Sequence, residues 1–77
     1  MTTSEQWVER FAAAVGSPAP TTEEIEALLG LAGIAAHASE RTAAPLSTWL
    51  AGRAELSAAE AKDVAERLAA ELDDGSS

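Results

Sequence analysis

The chain has 77 residues and carries 13 acidic against 5 basic side chains, a net charge of −8. That length holds one domain whose core covers only about 60% of the surface an unfolded chain exposes, and the acidity argues against nucleic-acid binding because it repels phosphate backbones. Cysteine is absent, so disulfides and thiolate metal sites are excluded; no basic leader opens the chain and no apolar run approaches the ~20 residues of a membrane span, so a cytoplasmic location is expected.

A first helix is expected over about residues 5–15. Ser4 reads as its N-cap, and Trp7, Phe11, Ala14 and Val15 recur at helical spacing, with Val8 beside them. Gly16 is a natural helix stop, and Ser17, Pro18, Ala19 and Pro20 form a short loop. Thr21 and Glu24 have capping-box spacing and open a second helix expected to reach about Glu40. Its middle, residues 28–36, is apolar or small on every side, which marks it as the central, most buried element. Gly30 and Gly33 cost about 1 kcal/mol each against alanine there, which predicts either close approach of another backbone or a bend.

Thr42, Ala43 and Ala44 read as a connector, and Pro45 suits the first turn of a third helix over about residues 46–54. That helix carries Leu46, Trp49 and Leu50 on one face. Ser57 and Glu60 again have capping-box spacing, with Leu56 placed to staple onto Ala61. A fourth helix follows, with Ala61, Val64, Ala65, Leu68 and Leu72 as its apolar stripe. Asp63 with Arg67 and Lys62 with Glu66 form i,i+4 pairs on its wet side. No strand pattern or internal repeat occurs. The expected fold is all-α: a small four-helix bundle with a central apolar second helix. Residues 1–72 form a single helical domain and residues 73–77 a disordered C-terminal tail.

The polar residues His37, Glu40 and Arg41 end an otherwise apolar helix. Their i,i+3 and i,i+4 spacing puts all three on one face. The structural reading is that His37 and Arg41 satisfy the last helix carbonyls and pin the corner between the second and third helices. The functional reading is a recognition surface for a partner or a small anion. One histidine and one carboxylate make only half a metal site, so no metal is expected. Ser39, Ser47 and Thr48 lie near His37 in sequence, but no nucleophile elbow or phosphate-binding loop accompanies them, so no catalytic residue is assigned.

Trp7, Phe11 and Trp49 are expected in the core, with an exposed groove flanked by the two tryptophans as the alternative. The oligomeric state stays open, and exposure of Trp49 or Leu46 would point to a dimer or a docking face. An acyl carrier protein is also an acidic helical bundle of this length, but it needs a serine in an Asp-Ser-Leu setting, which this chain lacks.

Residues 28–52 carry a more specific pattern: Ala36-His37, then Glu40-Arg41, then Ala43-Ala44-Pro45-Leu46, the hydroxyl pair Ser47-Thr48, the aromatic Trp49, and Gly52 two residues after Leu50, with Trp7 in the first helix. This stretch resembles a small actinobacterial domain of unknown function, found alone or joined to a molybdenum cofactor guanylyltransferase. An alanine-rich, asparagine-free composition in which arginine outnumbers lysine fits a GC-rich genome. The resembled family often has charged residues where this chain has Gly30, Gly33 and Ile34. The resemblance implies company with molybdenum cofactor or molybdoenzyme maturation and singles out His37, Glu40, Arg41 and Pro45.

The expected function is a non-catalytic accessory or protein-interaction module without a cofactor. Its candidate binding residues are His37, Glu40, Arg41, Pro45 and Trp49. The expected partner is a protein of basic or mixed charge, with a molybdenum cofactor nucleotidyltransferase or a molybdoenzyme implied by the resemblance, and neither nucleic acid nor membrane is expected. The alternatives are a small-ligand site at the corner spanning residues 37–49 and, behind it, a carrier-protein-like domain.

Overall fold

A computed structural model describes the backbone of residues 3–75 and the side chains of residues 3–73. Four helices account for most of it, in the order α1 (Ser4–Ala14), α2 (Thr22–Ala38), α3 (Ala43–Arg53) and α4 (Ala58–Gly75). No strand occurs among the described residues. The fold is all-α, as the helical periodicity predicts.

Three of the four helices begin with the same reciprocal cap. Thr21 Oγ1 accepts the Glu24 amide at 3.1 Å while Glu24 Oε1 accepts the Thr21 amide at 2.8 Å. Ser57 and Glu60 repeat it ahead of α4, at 3.1 and 2.9 Å. For α1 the cap lies one residue before the expected Ser4. Thr3 pairs with Gln6 at 3.1 and 3.0 Å. A cap at Ser4 would put Trp7 in the third helical position, where an indole cannot return an acceptor to the backbone.

The connections are equally local. α1 ends at Val15 and Gly16, whose φ is +73°. The Gly16 amide donates to Ala13 O at 3.1 Å and the Ser17 amide to Ala12 O at 2.9 Å, which completes a Schellman motif. α3 ends in the same motif, through Glu55 to Gly52 O at 3.0 Å and Leu56 to Ala51 O at 3.1 Å. There the left-handed position is held by Glu55, at φ +61°.

Two boundaries differ from those the periodicity suggests. α2 stops at Ala38, short of Glu40, because Ser39 leaves the helical region at φ −139°, ψ −107°. The chain turns sharply, with the Ala43 amide on Glu40 O at 2.9 Å and the Ala44 amide on Arg41 O at 3.1 Å. α3 therefore starts at Ala43, inside the expected connector. Alanine propagates a helix readily, and Pro45 falls in the first turn, where its missing N–H needs no partner. At the other end, α4 runs to Gly75, three residues into the segment read as a tail. Ser76 and Ser77, like Met1 and Thr2, lie outside the described residues.

α2 packs against both α3 and α4, which makes it the central element. The seam is narrow: Leu31 of α2 and Ala61 of α4 are each only 4% exposed. Lys62 lays its stem across Gly30, where a Cβ would stand 2.8 Å from Lys62 Cε. The close approach at Gly30 is thus that of a side chain, not of a backbone, while a Cβ at Gly33 would meet nothing within 4 Å. α1 packs on no other helix to a comparable extent. Its buried Ala12 and half-buried Val8 face residues 17–20 and the first turn of α2.

The expected aromatic core is corrected by this arrangement. α3 docks through its small side, where Ala43, Ala44, Ser47, Thr48 and Ala51 are half-buried. Leu46, Trp49 and Leu50 consequently point outward. Small side chains let α3 approach α2 closely, and once they occupy the contact the large ones have no place in it. Trp7 and Phe11 are outward because α1 meets its connector and the start of α2 through its other side, Val8 and Ala12. The radius of gyration is 13.7 Å, against about 11.5 Å for a compact domain of this length. The accessible surface is 6190 Å², against about 4,400 Å² for a compact monomer of this mass.

Candidate interaction surface

His37, Glu40, Arg41, Pro45 and Trp49 are all exposed. His37 sits in the last turn of α2, Glu40 and Arg41 in the tight turn, Pro45 in the first turn of α3, and Trp49 one turn later. The early end of α2 separates them. Glu40 and Arg41 are no longer on the helix that carries His37, so the shared face implied by their spacing does not form. Neither His37 nor Arg41 bonds the last carbonyls of α2. The Ala35 carbonyl is taken by the Ser39 amide at 3.1 Å. The pinned corner of the structural reading is therefore replaced by a backbone turn that closes on its own hydrogen bonds.

His37 instead borders an open groove of about 810 Å³ between α2 and α4, alongside Leu29, Gly33, Ala69 and Leu72. Glu40, Arg41, Pro45 and Trp49 do not line it. Among the described residues, no three His, Asp or Glu side chains cluster closely enough to hold a metal ion. The carboxyl held below its ordinary value is that of Glu60, which accepts the Ser57 amide and then its hydroxyl. That bond belongs to the α4 cap, far in sequence from the corner.

The surface is defined by apolar side chains. Leu46 is 65% exposed and Trp49 is 61% exposed, one turn apart on the outer face of α3. Arg53 places its guanidinium carbon 5.1 Å from the Trp49 ring centroid, a cation–π contact. A second patch lies on α1, where Trp7 and Phe11 stack with centroids 6.1 Å apart and planes 17° apart, with exposed Val15 continuing the stripe. A third is a groove of about 260 Å³ between α3 and α4, floored by Leu31 and Ala61 and walled by Leu50, Val64 and Leu68. Clustered exposed apolar side chains of this kind mark interaction sites in soluble proteins.

Leu50, Val64 and Leu68, which periodicity places on the apolar faces of the third and fourth helices, stand on the walls of an open groove. On α3 the sequence signal for the docking side is a second stripe, Ala43, Ser47 and Ala51, at i, i+4 and i+8, on the far side of the helix from Trp49.

These features define a class: a small all-α domain with open apolar faces rather than an enclosed pocket. The chain belongs to the family described as domain of unknown function DUF6457, whose model matches residues 1–76. No curated protein and no solved structure shows a significant match. No helix among the described residues is long and apolar enough to cross a membrane.

Proposed function

We propose that this domain is a non-catalytic protein-interaction module, which docks a partner through the outer face of α3 and the adjoining turn. The observation that carries the reading is the exposed pair Leu46 and Trp49, backed by Arg53. Tryptophan and arginine together make up many binding hot spots, because each covers a large area and supplies a donor. Pro45 stiffens the approach to this face, and Glu40 and Arg41 supply polar rim contacts. The partner presents a basic or mixed-charge surface, since a domain of net charge −8 attracts cations and repels anions.

The resemblance of residues 28–52 to an actinobacterial domain that accompanies molybdenum cofactor guanylyltransferase supports a specific partner: that nucleotidyltransferase, or a molybdoenzyme it serves. Calorimetric titration of the domain with the nucleotidyltransferase of the same organism tests this. The expected result is binding that weakens with salt and loses about 2 kcal/mol on Trp49→Ala. Unchanged affinity in Trp49→Ala and Leu46→Ser would remove the α3 face from the interface, and absence of binding would remove this partner. His37→Ala should shift stability by less than about 0.5 kcal/mol, as for an exposed side chain without a partner.

A small-ligand site is favoured less. The groove beside His37 is open along its length, whereas ligand sites bury most of their ligand.

A further inference from the structure

The α1 stripe and the groove between α3 and α4 are separate from the α3 face used above, and each lacks a counterpart in its own chain. On α1, Trp7 is 62% and Phe11 56% exposed, with Val15 one turn further on. The groove is apolar apart from Ser47, and its walls Leu50, Val64 and Leu68 are exposed. One surface is a convex amphipathic helix and the other a concave slot between two helices, the pairing by which helices dock into grooves. The stripe from Trp7 to Val15 spans about 12 Å and the α4 wall from Ala61 to Leu68 about 10 Å, at 1.5 Å per residue.

The helix is held away from its own groove. Its connector is fixed at one end by the Gly16 and Ser17 amide bonds and at the other by the cap of Thr21 on Glu24. Pro18 and Pro20 restrict it between those points, and Val8 and Ala12 already rest against Pro20. A second chain has no such constraint. We propose that two copies of this chain associate about a two-fold axis, each placing the Trp7, Phe11 and Val15 stripe of α1 in the α3–α4 groove of the other.

Two arguments select a second copy over an unrelated partner. The first is self-complementarity. A single isologous contact covers both helix and groove twice, whereas a foreign helix in the groove would leave α1 bare. The second is area. The accessible surface exceeds that of a compact monomer by about 1,800 Å² per chain, and a standard interface removes about 800 Å² per partner. The cost is repulsion between two chains of net charge −8. Salt screens that repulsion, with a Debye length of about 8 Å at physiological ionic strength, so self-association strengthens as salt rises. A basic partner on the α3 face behaves in the opposite way, which keeps the two interactions distinguishable.

Sedimentation equilibrium of the wild-type chain from micromolar to millimolar concentration tests the proposal. The expected result is a reversible monomer–dimer equilibrium that tightens with added sodium chloride. Phe11→Ser on the helix and Leu50→Ala on the groove wall should each weaken it by about tenfold or more. Thermal unfolding of the dilute chain supplies the control, because Phe11 is exposed in the monomer and Phe11→Ser should leave its melting unchanged. A chain that stays monomeric at millimolar concentration in high salt overturns the proposal. So does a Phe11→Ser or Leu50→Ala variant that dimerises as tightly as the wild-type chain.

Discussion

The seam between α2 and α4 and the outlying α1 helix each present apolar side chains, with opposite fates. At the seam, Leu31 and Ala61 are almost fully covered, and Lys62 closes over Gly30. On α1, Trp7 and Phe11 stack on one another and face solvent. The difference is geometric. α2 has two neighbours along its length, while α1 meets the loop that follows it and only the first turn of α2. An amphipathic stripe guarantees that a helix has a face to bury; it does not say that its own chain does the burying.

The sharpest way to break this contrast is to truncate one residue on each side. Leu31→Ala should cost about 2–5 kcal/mol, a large part of the stability of a domain of this size. Phe11→Ala, although it removes a larger side chain, should cost the dilute chain less than about 0.5 kcal/mol. Chemical denaturation of the two variants checks both figures, and equal losses would mean that α1 is part of the core.

The glycines of α2 sharpen the comparison at a smaller scale. Gly33→Ala meets open space and should stabilise by about 0.8–1 kcal/mol through helix propensity. Gly30→Ala must displace the end of Lys62, so its gain should be clearly smaller. Equal melting points for the two variants would show that Lys62 does not rest on Gly30.

The two Schellman ends make a similar pair. Gly16 accepts φ +73° freely, whereas Glu55 adopts φ +61° against its side chain. Glu55→Gly should therefore stabilise by about 0.5–1 kcal/mol in thermal unfolding.

The smallest effect is electrostatic. The Glu60 carboxyl is held below its ordinary value by the Ser57 amide and hydroxyl. A group whose pKa is lower in the folded state stabilises above its unfolded value and loses that contribution as pH falls through the folded one. The start of α4 should fray on acidification into that range, and Glu60→Gln, which keeps an acceptor, should remove this part of the pH dependence. Amide exchange at Ala58 to Ala61 is the measurement.

Much of the fold was legible because it rests on local chemistry. The Thr21 with Glu24 and Ser57 with Glu60 boxes, the Gly16 stop and the centrality of α2 follow from residues a few positions apart. The cap at Thr3 was missed for want of comparing what Gln6 and Trp7 can return to the backbone. The face of α3 was misread because alanine and serine give a weak apolar signal beside Leu46, Trp49 and Leu50. Which of two stripes meets α2 is decided by closeness of approach, and periodicity alone does not report that. The corner residues His37, Glu40 and Arg41 were found but not their arrangement, since it turns on Ser39 leaving the helix two residues early.

In the isolated chain the large apolar residues of α1 and of the outer face of α3 point outward, and the two tryptophans report on it directly. Acrylamide quenching of the single-tryptophan variants Trp7→Phe and Trp49→Phe, at high dilution and low salt, is the decisive measurement. The remaining indole in each variant should be quenched far more readily than a buried one, while circular dichroism shows intact helices. A folded, dilute monomer in which either indole is shielded, with emission shifted to the blue, would contradict it.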